Sequence, residues 1–182
     1  MTTSPSRWAQ ELVSFWFGHS EEDWWKASLA FDAEIRERFA IEWARQARRQ
    51  AADFLGDAET ALAAVILFDQ FPRNMFRGHA DQFATDHLAL AVAKGAIDRG
   101  YDDGMPAVQR GFLYMPFQHS EEYKDQVQSL LLFTALGDPK MIHYARKHHE
   151  VIERFGRFPH RNEVLGRKPT AMERAAGEVV PW

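Results

Sequence analysis

The chain has 182 residues, a length that suits one domain with a sizeable core, and 46% of them are apolar, which excludes a disordered chain. Its formal net charge is −4 with acids and bases interspersed, which argues against nucleic acid as the main partner, because duplex binders carry a basic excess. There is no cysteine, which excludes disulfides, thiol catalysis and cysteine-ligated metals and suits a reducing cytoplasm.

Residues 1–7 carry no apolar signal core. The longest apolar runs, 61–68 and 130–136, fall well short of the roughly 20 residues of a membrane span, so a soluble, cytoplasmic protein is expected. Aromatic residues are abundant, with 14 Phe and 6 Trp, and Trp8, Trp16, Trp24, Trp25 and Trp43 cluster early. They predict an aromatic core layer in preference to a ligand-stacking cage, since ring burial dominates core energetics.

Period 3.6 dominates the hydrophobic pattern, and no stretch alternates long enough to make a strand. Pro5 opens a first helix, with Trp8, Leu12, Phe15 and Trp16 on one face and Gly18 closing it. Ser20 is placed to cap the next segment. Phe31, Ile35, Phe39 and Trp43 recur at i, i+4 and predict a second helix to about residue 49, with Glu34, Arg38, Arg45 and Arg48 facing water. Asp57 is the expected N-cap of a third helix. Its run 61–68 is apolar on all sides, which marks it as central and buried. It is expected to end at Phe71-Pro72, because the residue before a proline is pushed out of the α region.

A fourth helix is predicted over 81–99, rich in small residues, with Gly100 just past its end. Met105-Pro106 begins a fifth that stops near Tyr114, ahead of Met115-Pro116. Ser120 is expected to cap a sixth helix carrying Val127, Leu130, Leu131, Phe133 and Thr134, closed by Gly137. Asp138-Pro139 reads as an N-cap followed by an N1 proline, opening a seventh helix that runs to Phe155 and stops at Gly156. Thr170 and Glu173 form a capping box for a last short helix. The pattern is therefore all-α, about seven to eight helices joined by short connections that favour antiparallel neighbours. No linker or low-complexity stretch interrupts it, so a single domain over 1–182 is expected.

Two weak echoes run through the chain. Asp69-Gln70-Phe71-Pro72-Arg73-Asn74 parallels Gly156-Arg157-Phe158-Pro159-His160-Arg161-Asn162, and His19-Ser20-Glu21-Glu22 parallels His119-Ser120-Glu121-Glu122. Helical pairs at loosely repeated spacing suggest a solenoid-like array.

Three polar clusters fall between helices. The first holds Asp69, Gln70, Arg73, Asn74 and Arg77; the second runs from Tyr114 through His119 and Glu121; the third holds Arg154, Arg157, His160, Arg161 and Asn162. Asp69 would lie in the last turn of its helix, where the macrodipole disfavours a negative charge, so a cationic partner is expected from Arg73 or Arg77. Arginine forks bind carboxylate or phosphate in bidentate fashion, and histidine transfers protons near neutral pH. The plainer reading is structural: an arginine beside Phe-Pro caps a helix end and lays its stem on the ring, and His119-Ser120-Glu121 is a cap. Convergence of the clusters on one pocket would favour function. His143, His148, His149, Glu150 and Glu153 share one helix, but without a His-Glu-x-x-His pattern they read as a hydrated face and no metal is assigned. Nucleotide loops and nucleophile elbows are absent, and no cofactor is assigned.

Together these segments carry a resemblance. Asp69-Gln70-Phe71-Pro72-Arg73-Asn74 with Phe76-Arg77-Gly78, Phe112-Leu113-Tyr114-Met115-Pro116 with His119-Ser120-Glu121, and 154–162 with Leu165-Gly166-Arg167 are similar to the bacterial family called domain of unknown function 924. The opening Val13-Ser14-Phe15-Trp16-Phe17-Gly18 also fits, and the likeness spans about residues 12–173. It implies an all-helical fold of the tetratricopeptide-like class, antiparallel pairs stacked as a right-handed superhelix, and it brings no activity or assigned residue with it.

The sequence thus points to a small anionic ligand, carboxylate or phosphate, held by Asp69, Gln70, Arg73, Asn74, Arg77, Arg157, Arg161 and Asn162. His119, Glu121 and His160 are the candidate proton-transfer groups. The alternative is a scaffold that binds a peptide or protein in a helical groove, a reading supported by fold analogy alone.

Overall fold

The computed structural model describes residues 6–180. Pro5 lies outside them, so the start of the first helix is read from Ser6 onward. The chain divides into two compact units between Leu113 and Tyr114. Among the described residues every regular element is helical, as the periodicity predicts. None of these helices is long and apolar enough to cross a membrane.

In the first unit, α1 (Arg7–Phe17) buries Ala9, Leu12, Phe15 and Trp16, the stripe that its spacing defines. Ser20 caps α2 (Glu21–Trp25) in a reciprocal box with Asp23. α3 (Leu29–Gln46) buries Phe31, Ile35 and Phe39. It stops at Gln46, a few residues short of the expected end. α4 (Ala58–Val65) begins at Asp57, whose carboxylate accepts the Thr60 N–H at 2.8 Å. It packs against α1 and against α6 (Asp86–Ile97). The fourth predicted helix is split: 80–83 is a 3-10 turn and α6 follows after Thr85. Trp16, Phe39 and Phe71 form the aromatic layer, with ring centroids 5.6 Å (Trp16–Phe71) and 4.9 Å (Phe39–Phe71) apart. Core packing of most of the tryptophans and phenylalanines is what composition predicts; among the described ones Trp25 is the exception, 43% exposed.

The buried helix does not end at Phe71-Pro72. It passes through a π-helical turn, Ile66–Gln70, into α5 (Phe71–Met75), with Phe71 at φ −61°, ψ −40°. The π turn gives the Phe71 N–H to Ile66 C=O, one residue further back than an α-helix would. Pro72 has no N–H to offer Phe68, whose carbonyl would be stranded in the core. The Thr85 hydroxyl fills that gap, donating to Phe68 O at 2.7 Å while accepting from Trp43 Nε1 at 3.2 Å. Arg73 donates to the Asp69 carbonyl, and Asn74 Nδ2 to the Gln70 carbonyl at 3.0 Å. Arg36 caps the far end, donating to Met75 O at 2.8 Å. The proline bias is real, and side-chain donors outweigh it here.

α7 (Ala107–His119) likewise runs through Pro116 instead of stopping before it, with Met115 and Phe117 buried on either side. In the second unit, Gln126 Nε2 donates to the carbonyls of Gln118 and Ser120, each at 2.7 Å, closing the end of α7. α8 (Tyr123–Leu136) starts later than Ser120. Ser20 has Asp23 three residues on; Ser120 has Tyr123 there and so lacks a box partner. Its hydroxyl instead accepts from Glu122 N at 3.2 Å and donates to Asp125 Oδ2 at 2.8 Å. Gly137, at φ +81°, turns the chain into α9 (Pro139–Phe155), which packs on α8 as the other arm of a hairpin. Asp138 caps α9 and Gly156, at φ +67°, ends it, both as expected. A 3-10 turn, Pro159–Arg161, and α10 (Ala171–Ala176), boxed by Thr170 and Glu173, complete the unit.

Replacing Thr85, which is 5% exposed, by Val leaves the Phe68 carbonyl buried without a donor. Urea unfolding is expected to show a loss of about 1–3 kcal/mol, while Thr85→Ser loses distinctly less.

Candidate functional site

The first cluster lies wholly in the first unit. Asp69 is fully buried, and its cationic partner is Arg73, with Nη1 3.4 Å from Oδ1. Arg73 also forks onto Asp86 in the first turn of α6, both bonds 2.9 Å. Burial works against the Arg73 charge, but the two carboxylates outweigh it and raise its pKa above the ordinary arginine value. Gln70 donates to Asp69 Oδ2. Arg77 turns instead to Asp32 of α3, at 2.8 and 2.9 Å, and touches Asn74 Oδ1 at 3.4 Å. The hydrogen bond to Asp32 raises its pKa as well. Arg73 and Arg77 therefore fasten α5 to α6 and to α3.

The second and third clusters come together within the second unit, around the backbone of Phe158. Glu121 accepts the Phe158 N–H at 2.8 Å and two bonds from Arg167, 2.7 and 3.0 Å. Arg167 also donates to Phe158 O and to Asn162 Oδ1, each at 3.0 Å. Asn162 donates to Glu173 Oε2 at 3.2 Å, and Arg157 forks onto the same carboxylate with both bonds at 2.7 Å. Burial pushes the Glu121 carboxyl up, but Arg167 and the Phe158 N–H hold it below the usual range. Arg157 and the Thr170 N–H bring Glu173 down to about 2.

Two imidazoles flank the Phe158 ring and a third stands beside one of them. His119 closes α7, His148 lies on α9 and His160 in the 3-10 turn. Ring centroids are 6.1 Å apart for His119 and His148, 5.5 Å for His148 and Phe158, and 5.6 Å for Phe158 and His160. The Arg161 guanidinium lies 4.5 Å above the Phe158 ring and donates to His119 O at 3.0 Å. Arg161 is 7% exposed and His148 6%. His148 Nδ1 is 2.8 Å from Tyr144 O; a carbonyl only accepts, so Nδ1 carries the hydrogen and Nε2 keeps its lone pair. Burial, helped by the neighbouring His119 and Arg161, pulls His148 down to about 3. Burial and Arg161 pull His160 down to about 4. Both rings are neutral near pH 7, beside a permanent cation.

Of the residues picked out in the sequence, His119, Glu121, His160, Arg161, Asn162 and Arg157 share one group within this unit. Asp69, Gln70, Arg73, Asn74 and Arg77 form another within the first. His148 was read as part of a hydrated face, whereas it is buried with Ala145, Val151 and Ile152. The i+3 step from Ala145 to His148 to Val151 places it on the apolar stripe of α9 and is the signal that finds it. Glu173 was visible only as a capping residue, and Arg167 only as part of a motif. Among the described residues no three His, Asp or Glu group so as to hold a metal ion.

The depressed histidines make stability depend on acid. Between about pH 6.5 and about pH 3 the unfolded chain takes up a proton at residue 148 that the folded chain refuses, so stability is full above that window and falls as pH drops through it. His160 acts in the same direction down to about pH 4. His148→Gln is expected to flatten the slope of unfolding free energy against pH between pH 6 and pH 4, read from urea titrations. A slope equal to that of the unchanged chain would show that His148 titrates normally.

The profile of a family described as bacterial protein of unknown function (DUF924) matches residues 12–176. Among solved structures the chain is similar to a protein of unknown function, ATU0120, from Agrobacterium tumefaciens. The two are 41% identical over 92% of this chain and 95% of that one, with a TM-score of 0.87. No curated protein matches. With the profile running over all but the ends of the sequence, this chain belongs to the DUF924 family.

Proposed function

We propose that the second unit binds a small carboxylate or phosphate at the group formed by His119, His148, His160 and Arg161. The observation that carries this reading is the grouping of His148, His160 and the Arg161 guanidinium around the Phe158 ring, with His119 against His148. A guanidinium supplies charge and paired donors for an oxyanion. A neutral imidazole beside it accepts a hydrogen bond from a protonated ligand oxygen. His119 and His160 are the proton-transfer groups of this proposal, with His148 Nε2 as a further acceptor. Arg73, Arg77, Arg157 and Arg167, each forked onto a carboxylate, hold the frame. Glu121 positions the Phe158 backbone through its N–H. A tetratricopeptide-like stacking of helical pairs would suit such a frame, and the α8–α9 hairpin supports it. The same reading keeps the protein in the cytoplasm, where soluble carboxylates and phosphate esters are at hand.

Thermal unfolding in phosphate, sulfate and citrate, against chloride matched for ionic strength, tests the proposal. A saturable rise in Tm is expected with at least one of these anions, lost in Arg161→Gln and kept in Arg45→Gln on the exposed face of α3. No rise above chloride, or an equal rise in both variants, would remove the basis for an anion site.

A further inference from the structure

The first unit carries a cavity that its arginine forks do not enter. Its volume is about 320 Å³, at the lower edge of the roughly 300–1,000 Å³ typical of ligand sites, so its occupant is small. α1 lines it with Val13, α4 with Glu59 and Leu62, and α7 with Gln109. The segment between α6 and α7 adds Tyr101, Gly104 and Met105. Leu62 is buried and Val13 and Met105 are half-buried, which makes the body of the cavity apolar. Tyr101 stands fixed as part of the wall, its hydroxyl donating to Leu55 O at 2.8 Å. Gly104 is exposed and leaves the rim open. Its φ lies outside the left-handed region, and a Cβ there would meet no atom within 4 Å. Neither backbone nor packing therefore requires a glycine at that position.

Charge says what fits the cavity. Among the described residues that line it, Glu59 is the one with a charged side chain. It is half-buried in the first turn of α4, and no cation among the described residues pairs with it. Asp57 lies two residues before it, and Asp102 and Asp103 lead into Gly104. These four carboxylates outweigh the N-terminal ends of α4 and α7, each equivalent to about half a positive charge. The field is negative, which turns away an anion and draws a cation. Gln109 is half-buried, and its side chain makes no hydrogen bond among the described residues. An ammonium carries three donors, and here a carboxylate and an amide oxygen can accept from it. The aromatic and aliphatic walls suit a hydrocarbon body, and a tyrosine ring favours a cation over an anion.

We propose that this cavity binds a small primary amine with an apolar body, its ammonium at Glu59 and Gln109 and its hydrocarbon part against Val13, Leu62 and Met105. The site lies wholly in the first unit and is independent of the anion site.

Isothermal titration calorimetry with phenethylamine and hexylamine, against uncharged phenethyl alcohol, tests the proposal. Saturable binding is expected for at least one amine, and about tenfold weaker binding for the alcohol, because a charge-assisted hydrogen bond is lost. Glu59→Gln keeps the shape of the side chain. It is expected to weaken the amine by about the same tenfold and to leave the alcohol unchanged. Gly104→Leu fills the rim from a place where a side chain meets no neighbour, and it is expected to weaken amine and alcohol alike with an unaltered far-UV spectrum. Arg161→Gln is expected to bind the amine as the unchanged chain does, which separates this site from the anion site. Failure of both amines to bind saturably overturns the proposal. So does an alcohol that binds as tightly as the amine, or an amine affinity that survives either Glu59→Gln or Gly104→Leu.

Discussion

A proline in a buried helical stretch leaves a carbonyl without its donor, and the first unit is arranged around the answer to that constraint. Pro72 withholds an N–H from Phe68, and Thr85 supplies the missing bond from the threshold of α6. The bond ties the π turn to the start of α6, and Trp43 ties the same hydroxyl to α3. At the other Phe-Pro step, where the backbone is extended and no helical carbonyl is stranded, side chains hold the chain as well: Glu121 takes the Phe158 N–H and Arg167 meets the Phe158 carbonyl. An unpaired buried polar group costs about 1–3 kcal/mol, so such partners have little freedom to change. In each unit the elements meet where a backbone group needs a side chain.

The same chemistry explains how the arginines are used. Arg73 forks onto Asp86, Arg77 onto Asp32, Arg157 onto Glu173 and Arg167 onto Glu121. An ion pair of this kind fixes a geometry more than it adds stability, because both groups give up water to form it. Fork geometry then passes order along the chain: Arg157 to Glu173, Glu173 to Asn162, Asn162 to Arg167, Arg167 to Glu121. The histidines around Phe158 sit inside that order, and burial keeps two of them uncharged.

Fold class and helix boundaries set by short-range chemistry were legible in the sequence. The caps at Asp57, Asp138 and Thr170 and the glycines at 137 and 156 stand where the letters put them. What the letters left out depends on distant partners. Phe71-Pro72 and Phe158-Pro159 are the same dipeptide, yet Phe71 is helical and Phe158 extended, at φ −89° and ψ 106°. The local bias away from the α region decides at Phe158. At Phe71 it loses to donors from as far along the chain as Thr85. In the second unit, Glu121 lies some forty residues from Phe158 and Arg167, a separation at which no spacing rule operates. His148 was readable from periodicity, but its company of basic residues masked the stripe.

The π turn at 66–70 has a consequence for what lengths of chain are permissible. One residue beyond an α-helical count advances everything after it by about 100° about the axis. That phase aims Asp69 inward and Arg73 at Asp86. A deletion of one amino acid within this turn would restore ordinary helix and swing both away from their counterparts. Relatives that shorten or lengthen should therefore do so between helices, leaving the count from Ala58 to Met75 intact.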